Sequence, residues 1–223
     1  MTSIAPLPIA AAGETLLCLS EHALVWPAER TLFVADVHLG KAASFRAAGV
    51  PLPSGHSVYD LDRLAALICD HDVRRLVILG DLVHAQTSYT QALDRKFRDF
   101  RSRHEHVEML LVRGNHDLHA GDAPPEWGLR IVAEPFALGP FACCHEPDTA
   151  CGEGYELAGH LHPAVRLETT REGVTLPCFW QHERGMVLPA FGSLTGKFAV
   201  RLKPRESAVV VAGTQLHHVR FRG

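Results

Sequence analysis

The sequence has no Cys-x-x-Cys pair, no long apolar run and no strong excess of either charge. Each absence removes a class of protein. The six cysteines, Cys18, Cys69, Cys143, Cys144, Cys151 and Cys178, are spread over 223 residues. Neither a paired-cysteine metal or redox site nor a small disulfide scaffold is written in that spacing. The cysteines read as reduced thiols in a cytoplasmic protein. No apolar stretch approaches the ~20 residues that cross a bilayer, so no membrane partner is expected. The N-terminus has no basic region ahead of its apolar stretch and reads poorly as a signal peptide. The formal net charge is −3, so the molecule as a whole does not draw in nucleic acid. Carboxylates that bind cations would enter that total as charge the cations cancel. Repeats, low-complexity segments and linkers are also lacking, and one domain over residues 1–223 is expected.

What is abundant is histidine, with 15 residues, a common metal ligand and proton carrier. His71, His104, His106, His217 and His218 read as surface positions. The rest of the chain is ordinary for a globular protein, 47% hydrophobic and 21% charged. Short apolar runs end in polar punctuation, with amphipathic segments between them. Residues 15–19 and 22–26 look like the arms of a hairpin. Buried strands are expected at 31–35, stopping at Asp36, at 75–80, stopping at Asp81, and at 107–113, stopping at Gly114. Helical spacing predicts 57–70, with Leu61, Leu64, Leu67 and Ile68 on one face, and 88–104, with Leu93, Phe97 and Phe100 inward. Further strands are expected at 130–133, 136–144, 155–158, 164–169, 174–180, 198–202 and 207–212. Strand-helix-strand units imply a parallel sheet covered by helices. The strand-rich later part implies a second sheet packed on the first. Ligands in such folds bind beyond the carboxyl ends of strands.

Polar clusters sit at those ends. Asp36-Val37-His38 places two ligand types at alternate positions, which leave a strand on the same side. Gly80-Asp81 offers a carboxylate whose two oxygens can bridge two cations. Gly114-Asn115-His116-Asp117 follows the third strand, His145 stands alone after Phe141-Ala142-Cys143-Cys144, and Gly159-His160-Leu161-His162 repeats the alternate spacing. Each alone has a plain explanation: a strand-end Asp is commonly a turn former, and a lone histidine is commonly a satisfied structural one. The order, the strand-end placement and the mixed nitrogen and oxygen ligands are hard to explain together in that way.

The series Asp-x-His, Gly-Asp, Gly-Asn-His-Asp, His and Gly-His-x-His resembles the calcineurin-like metallophosphoesterase superfamily. The resemblance spans residues 36–162 and implies an α/β fold, a two-layer sandwich of mixed sheets flanked by helices. It implies one cation on Asp36, His38 and His162, a second on Asn115, His145 and His160, and Asp81 bridging both. It also makes His116 the catalytic histidine that is not a ligand. Imidazole with carboxylate and amide oxygen suits Mn²⁺, Fe²⁺ or Zn²⁺, and the resemblance leans to manganese. One departure is His84, three residues after Asp81, where many members carry the Asp that orients the catalytic histidine. That leaves Asp117 and His84 as candidates for the orienting role.

Longer strings, Ala35-Asp36-Val37-His38-Leu39-Gly40-Lys41, Phe45-Arg46, Gly49-Val50-Pro51-Leu52-Pro53, Gly80-Asp81-Leu82-Val83-His84 and Leu188-Pro189-Ala190-Phe191-Gly192, are similar to the bacterial ligase-associated DNA damage response endonucleases, the PdeM family. That resemblance implies hydrolysis of DNA phosphodiesters, with a ligase-associated helicase and nuclease as companions. Single-stranded or flapped DNA is the expected substrate, because a site without a duplex clamp reaches a flexible backbone more easily. Lys41 and Arg46 follow the first motif closely enough to meet a scissile phosphate, and Asn115 could meet its oxygens. The predicted helix 88–104 carries Arg95, Lys96, Arg98, Arg101 and Arg103 on its outer face. That face is either a phosphate-tracking surface or a solvated one in a chain with 18 Arg and 4 Lys. Two other readings compete. One is a phosphodiesterase or phosphatase of small molecules, and the other is a non-catalytic scaffold of the same fold.

Overall fold

In a computed structural model the described residues are 5–149, 154–168 and 173–221. The predicted hairpin is present as the second and third strands of the first sheet. Its strands run in order β1 (Leu7–Ala11), β2 (Glu14–Cys18), β3 (Leu24–Trp26), β4 (Thr31–Val34), β5 (Arg75–Leu79), β6 (Glu108–Val112) and β7 (Arg130–Val132). β1 to β4 are antiparallel neighbours and β4 to β7 are parallel. The parallel run needs crossovers, and two of them are the helices α2 (His56–Asp70) and α3 (Gln91–Arg103), which follow the short α1 (Lys41–Ala47).

The second sheet holds β8 (Phe136–Leu138), β9 (Phe141–Cys143), β10 (Tyr155–Ala158), β11 (Pro163–Glu168), β12 (Gly173–His182), β13 (Gly185–Val187) and β14 (Phe198–Ala199). Its order is β14-β11-β12-β13-β10-β9-β8, with β15 (Ser207–Ala212) on β12 and β16 (Gln215–Arg220) on β15. The short α4 (Asn115–Ala120) lies between β6 and β7 of the first sheet.

The apolar runs of β4, β5 and β6 are continuous because both faces are buried. Along β5, Leu76 and Ile78 join the layer beneath the helices, while Val77 and Leu79 join the layer between the sheets. The helix layer gathers Leu61, Leu64, Leu67 and Ile68 of α2 and Leu93, Phe97 and Phe100 of α3. The inter-sheet layer sets Trp26, Phe33 and Leu110 against Phe141, Leu157, Phe179 and Met186. Each such side chain contributes roughly 1.5–3 kcal/mol on burial. These two layers hold the strand ends rigidly, which is what a precise site requires.

Several elements differ from expectation. The strand expected over 136–144 is two antiparallel strands, because Gly139 takes φ 58 and Pro140 follows it, making a turn. The helix expected from 88 starts at Gln91, where the Thr90 hydroxyl caps the Leu93 amide at 3.2 Å. The strand expected over 198–202 is paired only at 198–199. β1, β13, β16, α1 and α4 were not expected. His104 is not a surface position: it is buried, its ring 4.9 Å from that of Phe100. Thr169, the end of the strand expected over 164–169, and Cys151 lie outside the described residues.

Candidate metal centre

The carboxyl ends of β4, β5 and β6 meet those of the parallel pair β9 and β10. Every predicted ligand leaves one of these five ends. Asp36, His38, Asp81 and His145 are buried, at 0%, 5%, 2% and 1% exposure. Burying so many ionisable groups is costly unless they are compensated.

Two groups form. Ligand atoms of Asp36, His38 and His162 lie within 4.8 Å of one another, and so do those of Asp81, His145 and His160. His162 Nε2 is 3.5 Å from Asp36 Oδ1. His145 Nε2 is 2.9 Å from Asn115 Oδ1 and 3.1 Å from His160 Nδ1, so Asn115 joins the second group. Asp81 stands between them, with Oδ2 3.9 Å from His38 Nε2 and Oδ1 3.5 Å from His145 Nε2. The structure therefore brings all seven candidates together, as two groups with Asp81 between them.

The donor chemistry fits divalent cations. The Nδ1–H of His145 donates to the Leu79 carbonyl at 3.1 Å. Its Nε2 lone pair is thereby aimed at Asn115 and His160. With His160 unprotonated at Nδ1, three acceptor atoms converge there, and a cation relieves their repulsion. Burial, reinforced by the nearby Lys41 charge, pushes the His38 pKa down to about 2, which keeps it in the neutral form that ligates. Burial raises the pKa of the Asp81 carboxyl, a trend that bound cations reverse.

The backbone is shaped for this purpose. Asp36, His38, Asp81, His160 and His162 all have φ between 50 and 67. Asp and His enter that left-handed region more readily than most residues, yet each instance costs on the order of 1 kcal/mol. Strain concentrated at such positions marks a functional site. The His160 amide donates to Asp36 Oδ2 at 2.9 Å, and the His116 amide to Asp81 Oδ1, also at 2.9 Å. Gly80 and Gly114 are required by closeness. A Cβ on Gly80 would enter the His145 ring, and one on Gly114 would strike the Asp81 carboxylate. The segment after β13 braces the same place. The Phe191 amide donates to Ala35 O at 2.8 Å and the Gly192 amide to Asp36 O at 3.1 Å.

His116 lies in the first turn of α4, at the edge of the cluster. Its Nδ1 faces the His84 carbonyl at 2.8 Å, which leaves Nε2 free. The carbonyl of His84 therefore orients His116. Asp117 does not: its carboxylate accepts the Val83 and Gly114 amides at 3.1 and 3.0 Å. The His84 ring also stacks on His116, with centroids 4.8 Å apart. Burial, with help from Lys41, lowers the His84 pKa to about 4. His38, His84 and His116 also come within 4.8 Å of one another, a third grouping that shares His38.

The basic residues sort themselves. Lys41 is partly buried beside Asp36 and Asp81, whose charges counter the lowering of its pKa by burial. Arg46 sends one guanidinium nitrogen to the Leu52 and Pro53 carbonyls. On α3, Arg98 pairs with Asp94 at 2.9 Å, Arg101 binds the His104 and Val107 carbonyls, and Arg103 binds the Asp99 carbonyl. The sequence reading passed over Glu134, whose Oε2 accepts the His145 amide at 2.6 Å. It also passed over the Leu79 carbonyl, a backbone atom with no signature in the sequence.

A sandwich that gathers carboxylates and imidazoles at its strand ends defines a class, the metal-dependent phosphoesterases. Residues 29–192 match the family model of the calcineurin-like phosphoesterases, and the chain belongs to that family. It is a metal-dependent hydrolase of phosphoesters. Among solved structures it is similar to the nuclease MPE of Pseudomonas putida, with 40% identity and a TM-score of 0.82, covering 93% of this chain and 97% of that one. It is also similar, at 15% identity and a TM-score of 0.42, to the phosphoesterase Yfce of E. coli, covering 86% of this chain and 99% of that one. A search of curated proteins returned no match.

Proposed function

We propose that this protein is an endonuclease that hydrolyses phosphodiesters in single-stranded or flapped DNA during DNA repair. The observation that carries the reading is the 40% identity to a nuclease over 93% of the chain. In this reading residues 1–223 act as one cytoplasmic domain, alongside a ligase-associated helicase and nuclease.

Asp36, His38 and His162 would hold the first cation and Asn115, His145 and His160 the second, with Asp81 shared between them. Two divalent cations, manganese in this proposal, would when bound supply Lewis-acid polarisation of the phosphoryl group and a nucleophile at neutral pH. The chain's own residues do the rest. With Oδ1 turned to His145, the Asn115 amide nitrogen is free to donate to a phosphoryl oxygen. Lys41 offsets phosphate charge at the mouth of the site. Protonated at Nε2, His116 delivers that proton to the departing sugar oxygen, which is the leaving group that most needs one. The His84 carbonyl keeps Nε2 directed away from its own loop.

The test is manganese-dependent cleavage of closed circular single-stranded DNA, with His116→Ala as control. Only an endonuclease opens a circle, so linear products support the reading. Intact circles together with turnover of a small phosphodiester would replace it with a small-molecule phosphodiesterase. Bound metal without turnover of any diester would replace it with a scaffold.

A further inference from the structure

The rings of His116, His84 and Phe45 form a ladder leading out of the metal centre. His116 and His84 stack at 4.8 Å and 26°, and His84 and Phe45 at 5.8 Å and 26°. The outer ring, Phe45, is 36% exposed and belongs to none of the buried apolar clusters. An exposed Phe held parallel to a row of site rings is poorly explained by core packing. It does resemble the aromatic platforms on which unpaired bases stack.

Phe45 lies on α1, four residues after Lys41, and side chains at that spacing share one helix face. That face looks into the metal centre. The adjacent face of α1, with Ala42 and Arg46, lines a groove of 610 Å³ whose opposite wall carries Arg95 and Lys96 of α3. Among the described residues neither Arg95 nor Lys96 has an ion-pair partner. Asp99 is the single carboxylate on the groove wall, against three cations. Of the five basic residues on α3, these two are the ones free to meet a polyanion.

We infer that α1 seats the nucleotide next to the scissile phosphate, with its base stacked on Phe45, and that the strand continues along the groove of Arg46, Arg95 and Lys96. This rests on the DNA reading above. It gives that reading a reason for preferring unpaired DNA, because a base in a duplex cannot present its face to Phe45.

The test is a cycle that removes the base and the ring separately. Single strands carrying one abasic residue are compared with intact strands, using the wild type and Phe45→Leu, and cleavage is read bond by bond. Leu keeps apolar volume against His84 and lacks a π face. Expected is a loss of roughly 5- to 100-fold at the bond beside the abasic residue for the wild type. Phe45→Leu should lose a similar factor on intact strands and nothing further when the base is removed. Phe45→Tyr should restore the wild-type pattern. If Phe45→Leu slows intact and abasic strands by the same factor, Phe45 merely props His84 and the inference is overturned. If the wild type cuts single strands without regard to the abasic residue, the inference fails while the DNA reading stands. If the wild type cuts no single strand at all, both fall.

Discussion

Gly114→Ala is the most informative small change, because it adds one methyl group beside the Asp81 carboxylate. Gly114 has φ −91, so alanine meets no backbone penalty there. The added Cβ would lie 2.5 Å from the Asp81 amide nitrogen and 3.1 Å from Cγ. The nitrogen contact falls roughly 1 Å short of ordinary van der Waals separation. Asp81 cannot yield by rotating, since backbone is struck as well as side chain. The strand end must move by several tenths of an ångström or more. Overpacking of this kind costs roughly 1–3 kcal/mol. For a chain of this size that is a fall in Tm of very roughly 3–10 °C. The catalytic cost should be larger, because a misplacement near 1 Å in a positioned site can cost about 10²-fold. The assay is turnover of a chromogenic phosphodiester at saturating Mn²⁺, with metal stoichiometry and Tm measured on the same preparation. The expected result is a folded protein with weakened metal retention and at least ~10-fold lower turnover. A variant with wild-type stoichiometry, Tm and turnover would refute the claim that closeness to Asp81 requires glycine at 114.

Three further outcomes are expected. His116→Ala should keep its metal and lose on the order of 10²–10⁴-fold in diesterase activity, because its ring touches the cluster without completing either ligand group; near-wild-type turnover removes it from the proton-donor role. Combined Lys41→Glu and Arg46→Glu should weaken DNA cleavage more than cleavage of a small diester, with Lys41 contributing most because Arg46 already serves Leu52 and Pro53; equal losses on both substrates count against DNA contact. Chelation should lower Tm, and Mn²⁺ at about 100 times its Kd should restore some 2.7 kcal/mol by mass action; a Tm indifferent to metal would mean that the buried Asp36 and Asp81 are compensated by some other means.

Much of the site was legible in the sequence because its parts are local. A strand that ends in Asp-x-His or Gly-Asp carries its ligands within a few residues, and burial on both faces makes such strands readable as unbroken apolar runs. α2 and α3 were legible from their spacing, since Leu61, Leu64, Leu67 and Ile68, and Leu93, Phe97 and Phe100, repeat at the period of a helix. α1 was not, because seven residues with three alanines carry no such period. His104 was misplaced because a histidine at the end of a basic helix looks exposed until the loop behind it folds over.

The sequence by itself determined the candidate ligands and their order, and with them the family. The tertiary structure decided what those ligands do to one another. His145 is aimed by the carbonyl of Leu79, 66 residues earlier. Asp36 is gripped by the amide of His160, 124 residues later. His116 is turned by a carbonyl of His84 and not by the carboxylate of Asp117 beside it. The physical reason is common to all three. Orientation here comes from backbone atoms, which every residue possesses and no sequence distinguishes, and only strand pairing within the first sheet and its packing on the second bring the right ones within hydrogen-bond distance.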